Sequence, residues 1–128
     1  MSGAHILIID DSLAETRIFT ALLEKRGFQV SVACNGQDGI QVAKARQPDI
    51  ILMDVVMPLV NGFQATRELT RAPETAHIPI IVCSSKSAET DRVWAARQGA
   101  KAYLVKPVDP KLLLATIAQF IGKADGHG

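Results

Sequence analysis

Acidic side chains follow two of the most apolar segments of the chain. The segment HILIIDDS, residues 5–12, places Asp10 and Asp11 directly after four aliphatic residues. A third aspartate, Asp54, follows the apolar run IILM at residues 50–53. Carboxylate oxygens are the ligands that hard divalent cations prefer, and a carboxylate can also act as a nucleophile. The chemistry to consider is therefore metal binding, nucleophilic group transfer, or both.

Two other polar residues end apolar segments later in the chain. Ser84 follows residues 78–83, and Lys106 follows AYLV at residues 102–105. A serine hydroxyl can donate to an oxyanion, and a lysine ammonium pairs with carboxylate or phosphate. Each residue alone has an ordinary explanation, because single aspartates often cap helices and single serines or lysines are usually structural or solvated. A functional interpretation depends on their lying together.

The segments that carry these residues are predicted strands. Residues 6–9, 50–53 and 78–83 are nearly continuous apolar runs, typical of strands buried on both faces of a parallel sheet. FQVSVA at 28–33 alternates apolar and polar side chains, so we expect an edge strand there. The run at 102–105 makes a fifth strand.

Helix signals fill the intervals between these strands. We expect Ser12 and Glu15 to form a capping box at the start of the first helix. The later helices have their own candidate starts, which are Asn35, Asn61, Ser87 and Asp109. Five strand–helix units predict a three-layer α/β/α sandwich with a five-stranded parallel sheet. An eight-unit barrel would need about 250 residues, and the chain has 128.

In such a fold, the chemically interesting residues fall at one edge of the sheet. Ligands of open α/β sheets bind outside the carboxyl ends of the strands, where Asp10, Asp11, Asp54, Ser84 and Lys106 are expected. Two unit charges about 4 Å apart repel by roughly 4 kcal/mol at an effective dielectric of about 20, so grouped carboxylates need a cation. Mg²⁺ suits a site with few carboxylates, and it also takes phosphate oxygens. The set predicts a phosphoryl site with one aspartate as candidate nucleophile.

Composition is that of an ordinary globular domain, with 48% hydrophobic residues and a net charge of +1. This charge gives no sign of direct nucleic-acid binding. The N-terminus lacks a basic region, and its aliphatic run is too short for a signal peptide or membrane span, so we expect a cytoplasmic protein. Cys34 and Cys83 form neither a CxxC pair nor a disulfide framework, and we expect both to be packed thiols.

The segments IIDDS, ILMDVVMPLVNG, IVCSS and YLVKP, in this order and spacing, resemble the response-regulator receiver family, the CheY-like domain. The resemblance covers residues 4–122 as one receiver domain and implies the strand order 2-1-3-4-5. We expect residues 123–128 to be a short flexible tail and no output domain. The segments FQATREL, ETDRVW, RQGA and KPVD also resemble single-domain, PilH-like regulators of type IV pilus, or twitching, motility.

The resemblance implies roles for the residues at the strand ends. Asp54 would accept a phosphoryl group from a histidine kinase of the CheA-like kind, and Lys106 would pair with that group, next to a cis peptide bond. Mg²⁺ would be held by Asp10, Asp11, Asp54 and the backbone carbonyl of Val56. An apolar residue at position 56 cannot orient an attacking water, so we expect a phosphoryl lifetime unlike that of receivers with a polar residue there.

The resemblance also implies a switch that reads the phosphorylated state. Ser84 takes the hydroxyl position and Tyr103 the aromatic position of that switch. Their movement would change the surface of helix 4, strand 5 and helix 5, which carries Trp94 and binds a downstream protein. On this interpretation the chain is a signalling domain and not an enzyme, apart from its own phosphorylation and dephosphorylation.

Several alternatives stay open from the sequence. The protein could act as a phosphate sink, or relay phosphate to a histidine phosphotransfer domain, or be a receiver that no longer accepts phosphate. A phosphatase of the haloacid dehalogenase type would use an aspartate nucleophile, but such enzymes place it in a DxD pattern after the first strand, where this chain has DDS. A flavodoxin-like FMN module would need a glycine-rich loop there.

Overall fold

The computed structural model describes residues 3–57 and 60–125, with side chains up to residue 121, and in it strands and helices alternate along the chain. The elements are β1 (His5–Ile9), α1 (Leu13–Lys25), β2 (Gln29–Ala33), α2 (Gly36–Arg46), β3 (Ile50–Met53), α3 (Gly62–Arg71), β4 (Ile80–Ser84), α4 (Glu89–Arg97), β5 (Ala102–Val105) and α5 (Pro110–Asp125).

The five strands form one parallel sheet with the order β2-β1-β3-β4-β5. Ile9, the last residue of β1, pairs with Ala33 of β2 and with Met53 of β3, so these three strands end at the same level. The predicted order is confirmed, and so is the edge position of β2. Residues that follow β1 and β3 are therefore neighbours.

Helices cover both faces of the sheet, which confirms the three-layer sandwich. Leu7 and Ile9 belong to a core cluster that includes residues of α2, α3 and α4. Ile6 and Ile8 belong to a second cluster, with residues of α1 and α5. The continuous aliphatic run of β1 arises because alternate side chains enter two different cores. In residues 3–57 and 60–125, none of the helices has the length and apolar character that a membrane span requires.

Most predicted helix starts are confirmed by the capping contacts. The Asn35 side chain accepts a hydrogen bond from a backbone N–H of the first turn of α2. Asn61 and Gln64 form a reciprocal capping box at the start of α3. Asp109 accepts a bond of 3.3 Å from the Leu112 N–H, at the start of α5.

Other details of the prediction are wrong. Ser87 does not cap α4, because the N-cap residue is Ala88, whose side chain makes no capping hydrogen bond. β4 begins at Ile80 and not at residue 78, consistent with a proline at 79 that has no N–H for the ladder. Helix α5 extends to Asp125, residues 126–128 lie outside the described part of the chain, and the flexible tail expected at 123–128 stays a prediction. Cys83 is buried as expected, but Cys34 is exposed.

Candidate phosphoryl and metal site

The three aspartates lie together at the carboxyl edge of the sheet. One carboxylate oxygen from each of Asp10, Asp11 and Asp54 lies within 4.8 Å of the others. The sheet fixes two of them, because the Asp10 N–H donates to the Ala33 carbonyl at 3.0 Å and the Asp54 N–H to the Ile9 carbonyl at 2.9 Å. Asp10 and Asp54 are only 3% and 7% exposed, whereas Asp11 is open to solvent. The predicted acidic cluster is therefore present.

Lys106 reaches this cluster from the end of β5. Its Nζ donates to Asp10 Oδ2 at 2.9 Å and to Asp54 Oδ1 at 3.4 Å, and it also contacts the Glu15 carboxylate. The peptide bond to Pro107 is cis, as expected. Burial alone would lower the pKa of Lys106, but the hydrogen bonds to Glu15 and Asp10 and the charge of Asp54 outweigh it and raise that pKa. The ammonium therefore keeps its charge throughout the physiological pH range.

The charge of the cluster is not fully compensated by this lysine. Burial, and then the negative charge of Asp10, raise the pKa of Asp54 from 3.8 to about 6, although Lys106 acts in the opposite direction. Burial disfavours the ionised form of this aspartate, and the neighbouring negative charge adds to the effect. Three carboxylates grouped within 4.8 Å fit a hard divalent cation, and Mg²⁺ is the cation that the oxygen donor set suits.

Ser84 and Tyr103 are connected through the segment that follows β4. The Ser84 side chain is fully buried, and its Oγ accepts a hydrogen bond of 3.1 Å from the Lys86 N–H. The Tyr103 hydroxyl donates to the Lys86 carbonyl at 2.7 Å. The guanidinium of Arg92 lies 5.3 Å from the centroid of the Tyr103 ring, and burial raises the pKa of that phenol. The backbone of Lys86 thus links the two predicted switch side chains, Ser84 and Tyr103, through hydrogen bonds.

A family model for the response regulator receiver domain matches residues 6–118. The chain belongs to this receiver family. It is a signalling domain of the two-component type, and membership implies a histidine kinase and downstream targets as partners.

Relatives and solved structures agree with this assignment. Protein PilH of Pseudomonas aeruginosa is 56% identical over 114 residues, which are 89% of this chain and 94% of that protein. The Vibrio cholerae chemotaxis protein CheY4 superposes with a TM-score of 0.87 at 26% identity, over 93% of this chain and 99% of that one. The receiver domain of a P. aeruginosa sensor histidine kinase, solved with a magnesium ion coordinated in its active-site cleft, has a TM-score of 0.88 at 28% identity, over 94% and 99% of the two chains.

Two residues that the resemblance singles out, Val56 and Trp94, are exposed. Val56 follows the acidic cluster in the connection to α3, and its side chain is 55% exposed. Trp94 lies on α4 and is 48% exposed, so it belongs to the surface and not to the acidic cluster. A metal-ligand role for the Val56 carbonyl and an output role for Trp94 remain predictions.

Glu15 belongs to the site, although the sequence assigned it to a capping box. The Ser12 Oγ accepts a bond from the Glu15 N–H at 3.3 Å, as in such a box. The return contact is missing, because the Ser12 N–H donates to Asp10 Oδ1 at 2.9 Å. The Glu15 carboxylate instead contacts Lys106. Glu15 lies in the first turn of α1, which begins at the same edge of the sheet as the acidic cluster. This position is the sequence signal that could have assigned Glu15 to the site.

We expect Asp54→Asn to stabilise the metal-free receiver at neutral pH. The folded protein binds the Asp54 proton more tightly than the unfolded chain, since the folded pKa is about 6 and the ordinary value 3.8. Stability contributed by this position therefore falls as pH rises from about 4 to about 6, and the loss is complete above that range. After discounting for solvent, we expect a gain of about 1.5 kcal/mol, or about 5 °C in Tm, at pH 8.

Thermal unfolding in EDTA at pH 8 and pH 5 measures this effect. About half of the gain should persist at pH 5, because Asp54 is then largely protonated in the folded receiver. The matched control is Asp38→Asn on the exposed start of α2. An Asp54→Asn variant no more stable than the parent at pH 8 would show that the carboxylate is already compensated.

Proposed function

We propose that this receiver is a stand-alone response regulator that accepts a phosphoryl group on Asp54 from the phosphohistidine of a histidine kinase. The observation that carries the proposal is the position of Asp54 in the cluster. Its carboxylate lies within 4.8 Å of two other carboxylates and 3.4 Å from the Lys106 ammonium. The similarity to PilH over 94% of that protein supports a regulator whose working unit is the receiver, residues 4–122.

The proposed reaction is an in-line displacement at phosphorus. An Asp54 carboxylate oxygen attacks, an O–P bond forms, and the N–P bond to the donor imidazole breaks. The imidazole leaves with the electron pair and takes a proton from solvent. Lys106 then pairs with a phosphoryl oxygen. Mg²⁺, held by Asp10, Asp11, Asp54 and the Val56 carbonyl, would supply positive charge next to the phosphoryl oxygens.

The proposed switch uses the connection between Ser84 and Tyr103. A phosphoryl group brings a charge of about −1.5 to −2 and strong acceptor oxygens, to which the Ser84 hydroxyl can donate. When Ser84 turns to the phosphoryl group, its Oγ no longer accepts the hydrogen bond from the Lys86 N–H. The Lys86 carbonyl is also the acceptor for Tyr103, so the aromatic side chain loses its present anchor. The α4–β5–α5 surface, with Trp94 on α4, then changes shape for a downstream protein.

The pathway is proposed from similarity. The 56% identity to PilH supports a role in chemotaxis-like control of type IV pili, or twitching motility, with a CheA-like kinase as the phosphate donor. Exchange of phosphate with an ATP-consuming kinase fits the cytoplasmic location predicted from the sequence.

The test is phosphorylation by a small donor. The full chain is incubated with Mg²⁺ and acetyl phosphate, and the intact mass is measured. We expect a single phosphate adduct on the parent protein and none on Asp54→Asn, because Asp54 is the proposed acceptor, whereas both Asp10 oxygens already accept hydrogen bonds, from the Ser12 N–H and from Lys106. Asp38→Asn, which removes an exposed aspartate on α2, should keep the adduct. An adduct that survives in Asp54→Asn would exclude Asp54 as the acceptor.

A further inference from the structure

We infer that Glu15 is a positioning residue for Lys106, and that it holds the ammonium partly away from Asp54. This inference rests on the proposed phosphoacceptor function. It concerns how readily Lys106 becomes available to a phosphoryl group.

The contacts of the ammonium are unequal. Lys106 Nζ contacts Glu15 and lies 2.9 Å from Asp10 Oδ2, but 3.4 Å from Asp54 Oδ1. An ammonium has three N–H donors, and these three carboxylates already occupy them. Of the three, the proposed phosphoacceptor is the most distant from the nitrogen. The resting receiver thus has its lysine bound mainly by the two carboxylates of β1 and α1.

Local structure explains why Glu15 is available for this contact. Its backbone is fixed by the hydrogen bond from its N–H to the Ser12 Oγ, 3.3 Å long. Its carboxylate does not accept a hydrogen bond from the Ser12 N–H, because that N–H donates to Asp10. Within the described residues, Lys106 is the one cation that Glu15 contacts. The glutamate is therefore directed at the lysine by the same aspartate that belongs to the acidic cluster.

Glu15 consequently competes with the phosphoryl group for Lys106. The N–H that now faces Asp54 Oδ1 can turn to a phosphoryl oxygen on the same residue, but the ammonium must then move towards Asp54 and lengthen its contact to Glu15 or to Asp10. The Glu15 side chain is 42% exposed, so water can replace the lysine around its carboxylate, whereas Asp10 is only 3% exposed. Giving up the contact to Glu15 is thus the least costly way for Lys106 to reach a phosphoryl group on Asp54. Removing the Glu15 carboxylate should therefore favour the arrangement in which Lys106 binds that group.

The experiment measures the affinity of the full chain for beryllofluoride, a mimic of a phosphoryl group on a carboxylate. Calorimetric titrations are made at saturating Mg²⁺ on the parent and on Glu15→Gln. We expect Glu15→Gln to bind beryllofluoride about fivefold more tightly. We also expect its Tm in EDTA to fall slightly, because Lys106 loses an ion pair. A merely structural contact would not raise affinity while lowering stability.

Two further variants separate position from net charge. Glu15→Asp keeps the negative charge but shortens the side chain by one methylene, so it should weaken the hold on Lys106 and shift the affinity in the same direction as Glu15→Gln. Glu24→Gln removes an exposed charge from the same helix and should bind beryllofluoride like the parent.

The possible outcomes distinguish the inference from the function beneath it. If the parent binds beryllofluoride and Glu15→Gln binds it equally or more weakly, the positioning role is wrong and the phosphoacceptor function stands. If Glu15→Asp behaves like the parent while Glu15→Gln binds more tightly, charge alone acts and positioning is excluded. If the parent does not bind beryllofluoride with Mg²⁺, both the inference and the proposed function fail.

Discussion

Replacing Lys106 by methionine is expected to lower the free energy of unfolding of the metal-free receiver by about 3 kcal/mol. Lys106 Nζ is the cation that contacts Asp10 and Asp54, whose side chains are 3% and 9% exposed. Methionine has a similar unbranched shape and preserves the packing of the stem. The loss of stability therefore measures the cost of leaving two nearly buried carboxylates without an adjacent ammonium.

Mg²⁺ should restore more stability to Lys106→Met than it adds to the parent. A ligand that binds only the folded state stabilises it by RT ln(1 + [L]/Kd). Without the ammonium the acidic cluster is more negative, so its affinity for a divalent cation rises. Urea unfolding in EDTA and in excess Mg²⁺ measures both quantities. This comparison also tests the proposed metal site without any phosphorylation step.

The matched control for Lys106→Met is Lys101→Met. Lys101 directly precedes β5 and is exposed, and its replacement should change stability by less than about 0.5 kcal/mol. The double variant Lys106→Met with Asp54→Asn should recover much of the loss, because one of the two uncompensated charges is gone. If Lys106→Met is as stable as the parent in EDTA, the lysine does not compensate the acidic cluster.

The architecture was predictable because the strands carry strong local signals. The run at residues 6–9 has no polar position, which is typical of a short strand covered on both faces. The order of the strands was not contained in these signals, since five strand–helix units can be arranged in several ways. The order 2-1-3-4-5 came from the resemblance to receivers, and the sheet confirms it.

The residues that form the site were predictable from the sequence, but the contacts between their side chains were not. The carboxyl ends of parallel strands lie at one edge of the sheet, so the residues after β1, β3 and β5 were expected at the same edge. From the local sequence, Ser12 and Glu15 could form both hydrogen bonds of a capping box or only the bond from the Glu15 N–H to the Ser12 Oγ. The choice is made by Lys106, which is 91 positions away in the chain, and by Asp10, which takes the Ser12 N–H. Local pattern carries no information about such distant contacts.

The start of α4 shows the same limit. Ser87 has the residue type of an N-cap, but the cap position is occupied by Ala88. The preceding backbone is held at Lys86, whose N–H donates to Ser84 and whose carbonyl accepts from Tyr103. The tyrosine comes from another strand, so the geometry before α4 depends on a contact that a local capping rule does not include.

Gly62→Ala is expected to destabilise the receiver by about 3 kcal/mol, opposite in sign to its effect on helix propensity. Gly62 is the first residue of α3, and alanine in a helix is normally favoured over glycine by about 0.5 to 1 kcal/mol. Here an added Cβ would lie 2.0 Å from the Asp54 carbonyl oxygen and 2.7 Å from the Val55 Cα. Backbone atoms cannot move away by changing a rotamer, so helix and acceptor strand must separate.

The matched comparison is Gly39→Ala on α2. There the three atoms nearest to an added Cβ all belong to the Ile9 side chain, with Cδ1 at 2.4 Å, and a side chain can shift more easily than backbone atoms. Gly39→Ala should therefore cost less than Gly62→Ala, as measured by urea unfolding of both variants.

The same close approach gives Gly62 a consequence for function. Its N–H donates to the Val55 carbonyl at 2.9 Å, so the start of α3 is bonded to the segment that follows the proposed phosphoacceptor. Separating them shifts Asp54 relative to Asp10, which is held independently by β1 and β2. Folded Gly62→Ala should accordingly take up phosphate from acetyl phosphate more slowly than folded Gly39→Ala. Equal rates and equal stabilities would mean that the backbone around Asp54 yields without cost, and that Gly62 does not set its position.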